Sequence, residues 1–262
     1  DYASSIDDFN IAIEIEPDED KYFILRSQSK ANLNDFSSAI DDNTKAIEIN
    51  PEDSSYFYFR GLNKARLNDF SSAIEDYTKA IEINPVIDLY FYDRAVANNR
   101  LNEYSAAIND LTKAIEINPS EAKYFDLKGL ISSGSLKDHS SGITDLTKAI
   151  EINPENSSYF QQRGSMKLSL KDYDSAIPDL TKAIDLNPDD IHSYLLRGDC
   201  YKEKSNLYQN KSNQTEKDLS EELKQAIFNY KRIIELDPEI KNDDYLLAVN
   251  YLSLILGHFG LR

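Results

Sequence analysis

Side chains of like character recur at three- and four-residue steps through nearly the whole chain. In residues 54–85, Phe57, Gly61, Lys64 and Ala65 mark one helical stripe. Leu67-Asn68-Asp69 interrupts it, and Phe70, Ala73, Ile74, Tyr77, Ala80 and Ile81 mark a second, the signature of an amphipathic helix. Ser54 or Ser55 is the expected cap of the first helix, its hydroxyl accepting a bond from an orphan amide, and the break at 67–69 supplies the cap of the second. Asn84-Pro85 ends the pattern, because the residue before proline is pushed out of helical geometry. The predicted unit is a pair of antiparallel helices joined by a tight turn.

That unit repeats. Pro17, Pro51, Pro85, Pro119, Pro154, Pro188 and Pro238 each follow nearly the same phrase, and KAIEINP occurs four times. The gaps between them are 34, 34, 34, 35, 34 and 50 residues. A fixed period of this size means one supersecondary unit used repeatedly, with contacts added layer by layer rather than around one core. Small residues recur where helices must approach: Ser27, Gly61, Ala95, Gly129, Gly164 and Gly198 in first helices, and Ala39, Ala73, Ala107, Gly142, Ala176 and Ala226 in second helices. Bulky residues alternate with them, among them Phe23, Phe57, Phe91, Phe125, Phe160 and Tyr194, and Tyr2, Phe36, Phe70, Tyr104 and Tyr173. Alternation of large and small is how a close-packed interior is built.

The period, the helix–turn–helix, the small–aromatic–small columns and the closing proline together resemble the tetratricopeptide repeat family, over essentially the whole chain. One departure is systematic: Arg or Lys precedes the small residue of the first helix, where the family often has Leu. The resemblance implies an all-α fold, an α-solenoid of antiparallel helix pairs wound into a right-handed superhelix with first helices lining the concave face. The whole of 1–262 then reads as one array. Residues 1–17 are a lone second helix. Full repeats follow at 18–51, 52–85, 86–119, 120–154, 155–188 and 189–238, the last with an insertion near 205–220, and 239–262 carry a first-type helix at roughly 243–256. About fourteen helices are expected. The chain starts at Asp1, partway through a repeat, which suggests a segment of a longer protein.

Departures from the pattern are the places to look for a particular role. One extra residue falls in Ile131–Leu136, where Gly134 favours an early end or a bulge. His139 replaces the aromatic of its column. Pro178 lies inside a second helix, near the first turn after Asp172, where a missing N–H is tolerated. The insertion is either a loop or an extension of both flanking helices. The last helix, DDYLLAVNYLSLILGHFGLR, is apolar on many sides; it packs against a further helix, against another molecule, or as a fully packed end.

Charge changes the picture in two ways. There are 46 acids against 29 bases, a formal charge of −17. This argues against nucleic acid, whose backbone needs clustered Lys and Arg. Charge also recurs with the period. Asp8, Asp42, Asp76, Asp110, Asp145 and Asp179 form one column, and Arg26, Arg60, Arg94, Lys128, Arg163 and Arg197 another. In the last repeat Asn229 replaces the acid, and Leu247 (or Ala248) replaces the following base. This joint loss suggests pairing from one repeat to the next: Asp8–Arg26, Asp42–Arg60, Asp76–Arg94, Asp110–Lys128, Asp145–Arg163 and Asp179–Arg197. Pairing within a repeat would instead leave Arg197 facing Asn229. The alternative to a ladder is two unrelated surface columns.

Candidate chemistry is sparse. Cys200 is the single cysteine, so there is no intrachain disulfide and no Cys-based zinc site. His139, His192 and His258 match no metal spacing. No nucleophile–base pair, phosphate-cradling glycine loop or G-x-S-x-G motif is present. No catalytic residue, metal or cofactor is therefore expected. No signal peptide or membrane-length apolar run is present either, and a soluble, cytoplasmic segment is the default expectation. First-helix residues outside the packed stripe are the candidates for a concave binding groove: Ile24, Gln28, Tyr58, Leu62, Tyr92, Val96, Asn99, Asp126, Leu130 and Gln161. Tyr58 and Tyr92 offer amphipathic contact area suited to a hot spot. The clamp by which some members of the resembled family bind chaperone C-termini is not matched, since Ile24, Gln28, Tyr58 and Leu62 stand there. The function expected is a non-catalytic scaffold binding a protein or peptide with apolar and basic residues. Alternatives are a substrate-recruiting or assembly region of a larger protein, and an array that self-associates through its ends.

Overall fold

Four second helices start where an aspartate side chain captures a free backbone amide. Asp35, Asp69, Asp138 and Asp172 accept from the backbone N–H of Ser38, Ser72, Ser141 and Ser175 at 3.0–3.3 Å. In the first helix of the 54–85 repeat the cap is Asp53, accepting from Ser55, and Ser54 is the first helical residue rather than the cap. Second helices end on Asn50, Asn84, Asn118, Asn153 and Asn187, each directly before its proline.

The computed structural model describes residues 1–205, 220–236 and 243–258. Among them are fourteen α-helices, one π-helical turn and no strand. The chain divides into two compact units, Asp1–Ile131 and Ser132–Arg262. The first holds α1 (Tyr2–Ile15), α2 (Asp20–Asn32), α3 (Phe36–Ile49), α4 (Ser54–Arg66), α5 (Phe70–Ile83), α6 (Asp88–Arg100), α7 (Tyr104–Ile117) and α8 (Ala122–Leu130). The second holds α9 (His139–Ile152), α10 (Ser157–Ser169), α11 (Tyr173–Leu186), α12 (Ile191–Lys204), α13 (Glu221–Leu236) and α14 (Asp243–His258). Within each unit, helices pack against their sequence neighbours, and α4 also touches α6, α10 touches α12 and α12 touches α14.

The turns after α2, α4, α6 and α10 are Schellman closures. At α2 the Asp35 N–H reaches back to the Lys30 carbonyl, and Asn34 N–H to that of Ala31. Asn34, Asn68 and Asn102 hold φ of 62–64°, the left-handed region that asparagine tolerates better than most residues. The fourth pair absorbs its extra residue as a bulge. Ile131–Ser135 is a π-helical turn, and the Asp138 N–H bonds the Ser132 carbonyl, six residues back instead of five. Gly134 sits there exposed, and Ser133 Oγ lies 2.7 Å from His139 Nδ1. Pro178 falls in the second turn of α11, deeper than expected, yet α11 keeps the 14-residue length of α3, α5, α7 and α9. The insertion lies almost wholly outside the described residues.

Small residues form the crossing points. Ala39, Ala46, Ala73, Ala80, Ala107, Ala114, Ala149, Ala176, Ala183 and Ala226 are fully buried. A Cβ on Gly61, Gly164 or Gly198 would lie 2.7 Å from Tyr77, Leu180 or Tyr230, so these crossings accept only a hydrogen. Phe23, Phe91, Phe160 and Tyr194 are buried as their column requires, whereas Tyr2 is exposed on α1, a helix with no buried residue. Ala248 and Ile255 of α14 are buried among α12 and α13 residues, while Leu246, Leu247 and Leu254 face outward.

The charge ladder runs in a different register from the one the terminal repeat suggested. Arg26, Arg60, Arg94 and Arg163 each make a two-pronged contact with Asp42, Asp76, Asp110 and Asp179, sixteen residues on and in the same helix pair. The Nη2–Oδ1 distances are 2.6–2.7 Å. The opposite edge of the guanidinium reaches the preceding second helix, where Nη1 donates to Thr44, Thr78 and Thr147, and for Arg26 to Asn10. Asp8 is exposed, and Asn10 takes the place expected of it. Lys30, Lys64 and Lys167 add a second cation to Asp42, Asp76 and Asp179, and Asn98 donates to Asp110. Asp110 is thus engaged by Arg94 of α6, and Arg163 by Asp179 of α11, each within its own helix pair.

The physical reason is position. Each Asp lies three residues after the small residue where the two helices of a pair cross, and so opens onto that pair's own first helix. Each guanidinium also lies 5.6–5.8 Å from the ring three residues before it, Phe23, Phe57, Phe91, Phe160 or Tyr194. Arg197 meets Asn229 after all, through Nε and the amide oxygen at 2.9 Å.

Candidate functional site

In the first unit, α2, α4 and α6 present their last turns side by side, and the space between them forms two clefts. The first, about 410 Å³, lies between Gln28, Ala31 and Asn32 of α2 and Phe59, Leu62, Asn63 and Arg66 of α4, closed by Asn34 and Phe36. The second, also about 410 Å³, lies between Leu62, Ala65 and Arg66 of α4 and Asp93, Val96, Ala97 and Arg100 of α6, over Phe70 and Tyr77. Leu62 and Arg66 belong to both and form a shared wall.

The floor is held by polar bonds behind it. Ser27 Oγ and Asn63 Nδ2 both donate to Asn43 Oδ1 at 2.9 Å beneath the first cleft. Beside the second, the Tyr58 hydroxyl donates to Asp93 Oδ2 at 2.7 Å, joining α4 to α6. Burial pushes the Asp93 carboxyl above its ordinary value, against the opposing pull of Tyr58, Lys123 and Arg66. A second series of bonds fixes the other end of these helices. The Tyr56 hydroxyl and Asn50 both donate to Asp20, and Tyr124 and Asn118 both donate to Asp88. Burial alone would raise the Asp20 and Asp88 carboxyls, but these bonds hold both below the usual range.

The candidate groove residues separate accordingly. Gln28, Leu62 and Val96 line the clefts. Ile24 does not face a groove: it is 7 % exposed and packs with Phe23, Ala46 and Tyr56. Tyr58 is half-buried, its ring 4.7 Å from Tyr90 and its hydroxyl committed to Asp93, so it braces the groove instead of offering a free face. Tyr92 stacks on Tyr124 at 5.1 Å beneath Lys123. Tyr92, Asn99, Asp126 and Leu130 line neither cleft. Gln161 belongs to the second unit and donates to Asp190 at 2.7 Å.

Three residues that complete the clefts escaped the sequence reading: Arg66, Arg100 and Asp93. Their signal lies in the columns. The residue before the Leu of the turn is Asn32, Arg66, Arg100 and Ser169, so two neighbouring repeats alone place a base there. The column of Leu25, Phe59, Leu127 and Leu196 turns acidic only at Asp93. Neither arginine has a carboxylate within ion-pair distance among the described residues.

Family models of the tetratricopeptide repeat match residues 58–122 and 157–190. Residues 58–122 and 157–190 are tetratricopeptide repeats. The match at 58–122 takes in the second cleft from Leu62 to Arg100. A search of curated proteins found no match. Among solved structures, the C-terminal part of a tetratricopeptide repeat-containing protein from Cytophaga hutchinsonii is similar with a TM-score of 0.76 at 17% identity, over 95% of this chain and 94% of that one. PilF of Pseudomonas aeruginosa is similar with a TM-score of 0.66 at 15% identity, over 88% and 97%. YrrB, described as a tetratricopeptide repeat protein with an unusual peptide-binding site, has a TM-score of 0.64 at 19% identity, over 80% and 96%. These likenesses show the shared fold, an all-α solenoid of stacked helix pairs. Among the described residues no helix is long and apolar enough to cross a membrane.

Proposed function

We propose that this chain is a non-catalytic protein-interaction scaffold that takes an extended peptide segment across α2, α4 and α6. The observation that carries this reading is the continuity of the two clefts through Leu62 and Arg66. Together they form a trough lined by apolar and polar side chains in comparable measure on a braced floor, a form that suits a peptide. The lone thiol is unsuited to chemistry: Cys200 is fully buried and burial, then Asp199, push it up to about 12. That YrrB is described as having a peptide-binding site supports the reading by likeness of fold.

The test is selection of peptides from a random library displayed on phage, followed by affinity measurement with Leu62→Ala. Loss of at least about tenfold, with the melting curve little changed, is the expected result for a residue that both clefts share. Binding unaffected by Leu62→Ala would remove the groove from consideration. A second reading, self-association, is favoured by the outward Leu246, Leu247 and Leu254 of α14. Sedimentation across a wide concentration range separates the two, since a strict monomer that binds peptide supports only the first.

A further inference from the structure

The trough carries a charge opposite to that of the chain. Overall there are 46 acids against 29 bases, yet the charged residues lining the two clefts are Arg66, Arg100 and Asp93. The acid is already engaged by the Tyr58 hydroxyl at 2.7 Å. Both arginines are exposed, and neither appears in any ion pair or side-chain hydrogen bond among the described residues, in a molecule where Arg26, Arg60, Arg94 and Arg163 are each clasped by an aspartate. They stand at the same position of α4 and α6, one repeat apart, at the edge of a floor made by Leu62, Phe70, Tyr77 and Val96.

We infer that the partner segment carries acidic side chains beside an apolar one, the apolar group seated between Leu62 and Val96 and the carboxylates met by Arg66 and Arg100. This rests on the groove reading above and names the chemistry of its ligand. A planar guanidinium presents a fork of donors that matches a carboxylate, so two unpaired arginines beside an apolar floor select for charge and for neighbouring side chain together. Net charge pointed to a basic partner. The local field decides instead, because exposed charges more than about 10 Å away are largely screened at physiological salt. The recognised carboxylates belong to side chains within the segment, so a free C-terminus is not required.

The experiment is the same phage-displayed random library, panned on the full chain and counter-panned on the Arg66→Gln/Arg100→Gln double variant. The enriched sequence is then synthesised with a free and with an amidated C-terminus. Enrichment of Asp or Glu next to Leu, Ile or Phe is expected, with about tenfold weaker binding to the double variant. A comparable loss is expected on raising salt from 0.05 to about 0.5 M, together with unchanged binding of the amidated peptide. Both arginines are exposed and unpaired, so the melting curve of the double variant should overlay the parent's. Enrichment of basic or uncharged peptides would overturn the inference, as would binding unaffected by the double variant or abolished by amidation. Peptides that lose binding with Leu62→Ala but not with the arginine variant would leave the groove standing and remove the acidic ligand. Peptides indifferent to Leu62→Ala would remove both.

Discussion

Arg197 donates through Nε to the amide oxygen of Asn229 at 2.9 Å, at the position where Arg60 grips both oxygens of Asp76. Its Nη1 still reaches Thr181 at 3.1 Å, so the clasp keeps its shape and loses its charge. Burial accordingly pulls the Arg197 guanidinium below its ordinary value. Asn229→Asp regains a charged contact with Arg197, worth about 1 kcal/mol over a neutral one. It gives up the Nδ2 bond to the Gln225 carbonyl at 2.7 Å, so the second unit should be about as stable as the parent's. Asp76→Ala should destabilise its unit strongly. It strands Arg60 and Lys64, whose side chains are 18% and 19% exposed, and removing one partner of a buried pair costs about 3–5 kcal/mol. Urea midpoints of both variants against the parent decide the matter, and a destabilised Asn229→Asp protein would contradict the account.

Gly164 and Gly134 should respond to alanine in opposite directions. A Cβ at Gly164 would meet Leu180 Cγ at 2.7 Å and Cδ2 at 3.0 Å. Cγ is the branch point of that side chain and moves only by a change of χ1, which the packing around fully buried Leu180 opposes. The overpacking penalty of about 1–3 kcal/mol therefore outweighs the helix-propensity gain of about 1 kcal/mol. At Gly134 nothing lies within 4 Å, and alanine should be neutral or slightly stabilising. Thermal melts of the two single variants would show it.

Asp93 should make its unit respond to pH in an unusual sense. Its carboxyl is raised in the fold, first by burial. Ionised Asp93 therefore opposes folding at neutral pH, and that opposition fades as pH falls through the raised folded value. Asp93→Asn, whose amide oxygen still accepts from Tyr58, should melt higher than the parent at neutral pH, with the difference shrinking towards pH 4. Asp20 and Asp88 act in the opposite sense. Their carboxyls are lowered, so the stability they supply is full above the unfolded value of about 3.9 and is lost as pH falls through the folded one. A melting difference for Asp93→Asn that is flat between pH 4 and 7 would refute the assignment.

Cys200 should report unfolding of the α12–α13 pair. It is fully buried and its thiol is pushed up to about 12. Reaction with an alkylating reagent at neutral pH should be negligible in the native state and rise in step with urea unfolding of the second unit. Fast alkylation without denaturant would show that the pair opens readily.

The repeating part of the fold was legible because it is written redundantly. Helix pairs carry their own small residue at the crossing and their own proline, most also their own cap, and Asn84 alone would mean little without Asn50 and Asn118. The register of the ladder was not legible. Asp42 lies sixteen residues after Arg26 and eighteen before Arg60, and nothing in that spacing says which face of α3 the carboxylate leaves by. In the terminal repeat Asn229 and Leu247 replace acid and base together, yet Asn229 meets Arg197 of its own pair and not the helix that carries Leu247. Nor could the groove be read by elimination from a packed stripe. Ile24 and Tyr58 sit at the boundary, where a small rotation of one helix decides between core and surface. Arg66 and Arg100 stood out only by comparison with Asn32 and Ser169, a contrast between columns that helical periodicity does not contain.

The three-way arginine clasp also bears on how such a chain grows. Thr44, Arg60 and Asp76 span 33 residues, just inside the 34-residue period. Duplicating any 34-residue window of the regular array, wherever the ends fall, copies one threonine, one arginine and one aspartate and restores their spacing on both sides of the join. An unequal crossover at a random point in the gene would thus yield a chain whose new interface is already wired. Lengthening the array requires no compensating substitution, and divergence is free to act afterwards on positions such as Arg66 and Arg100 that the clasp does not use.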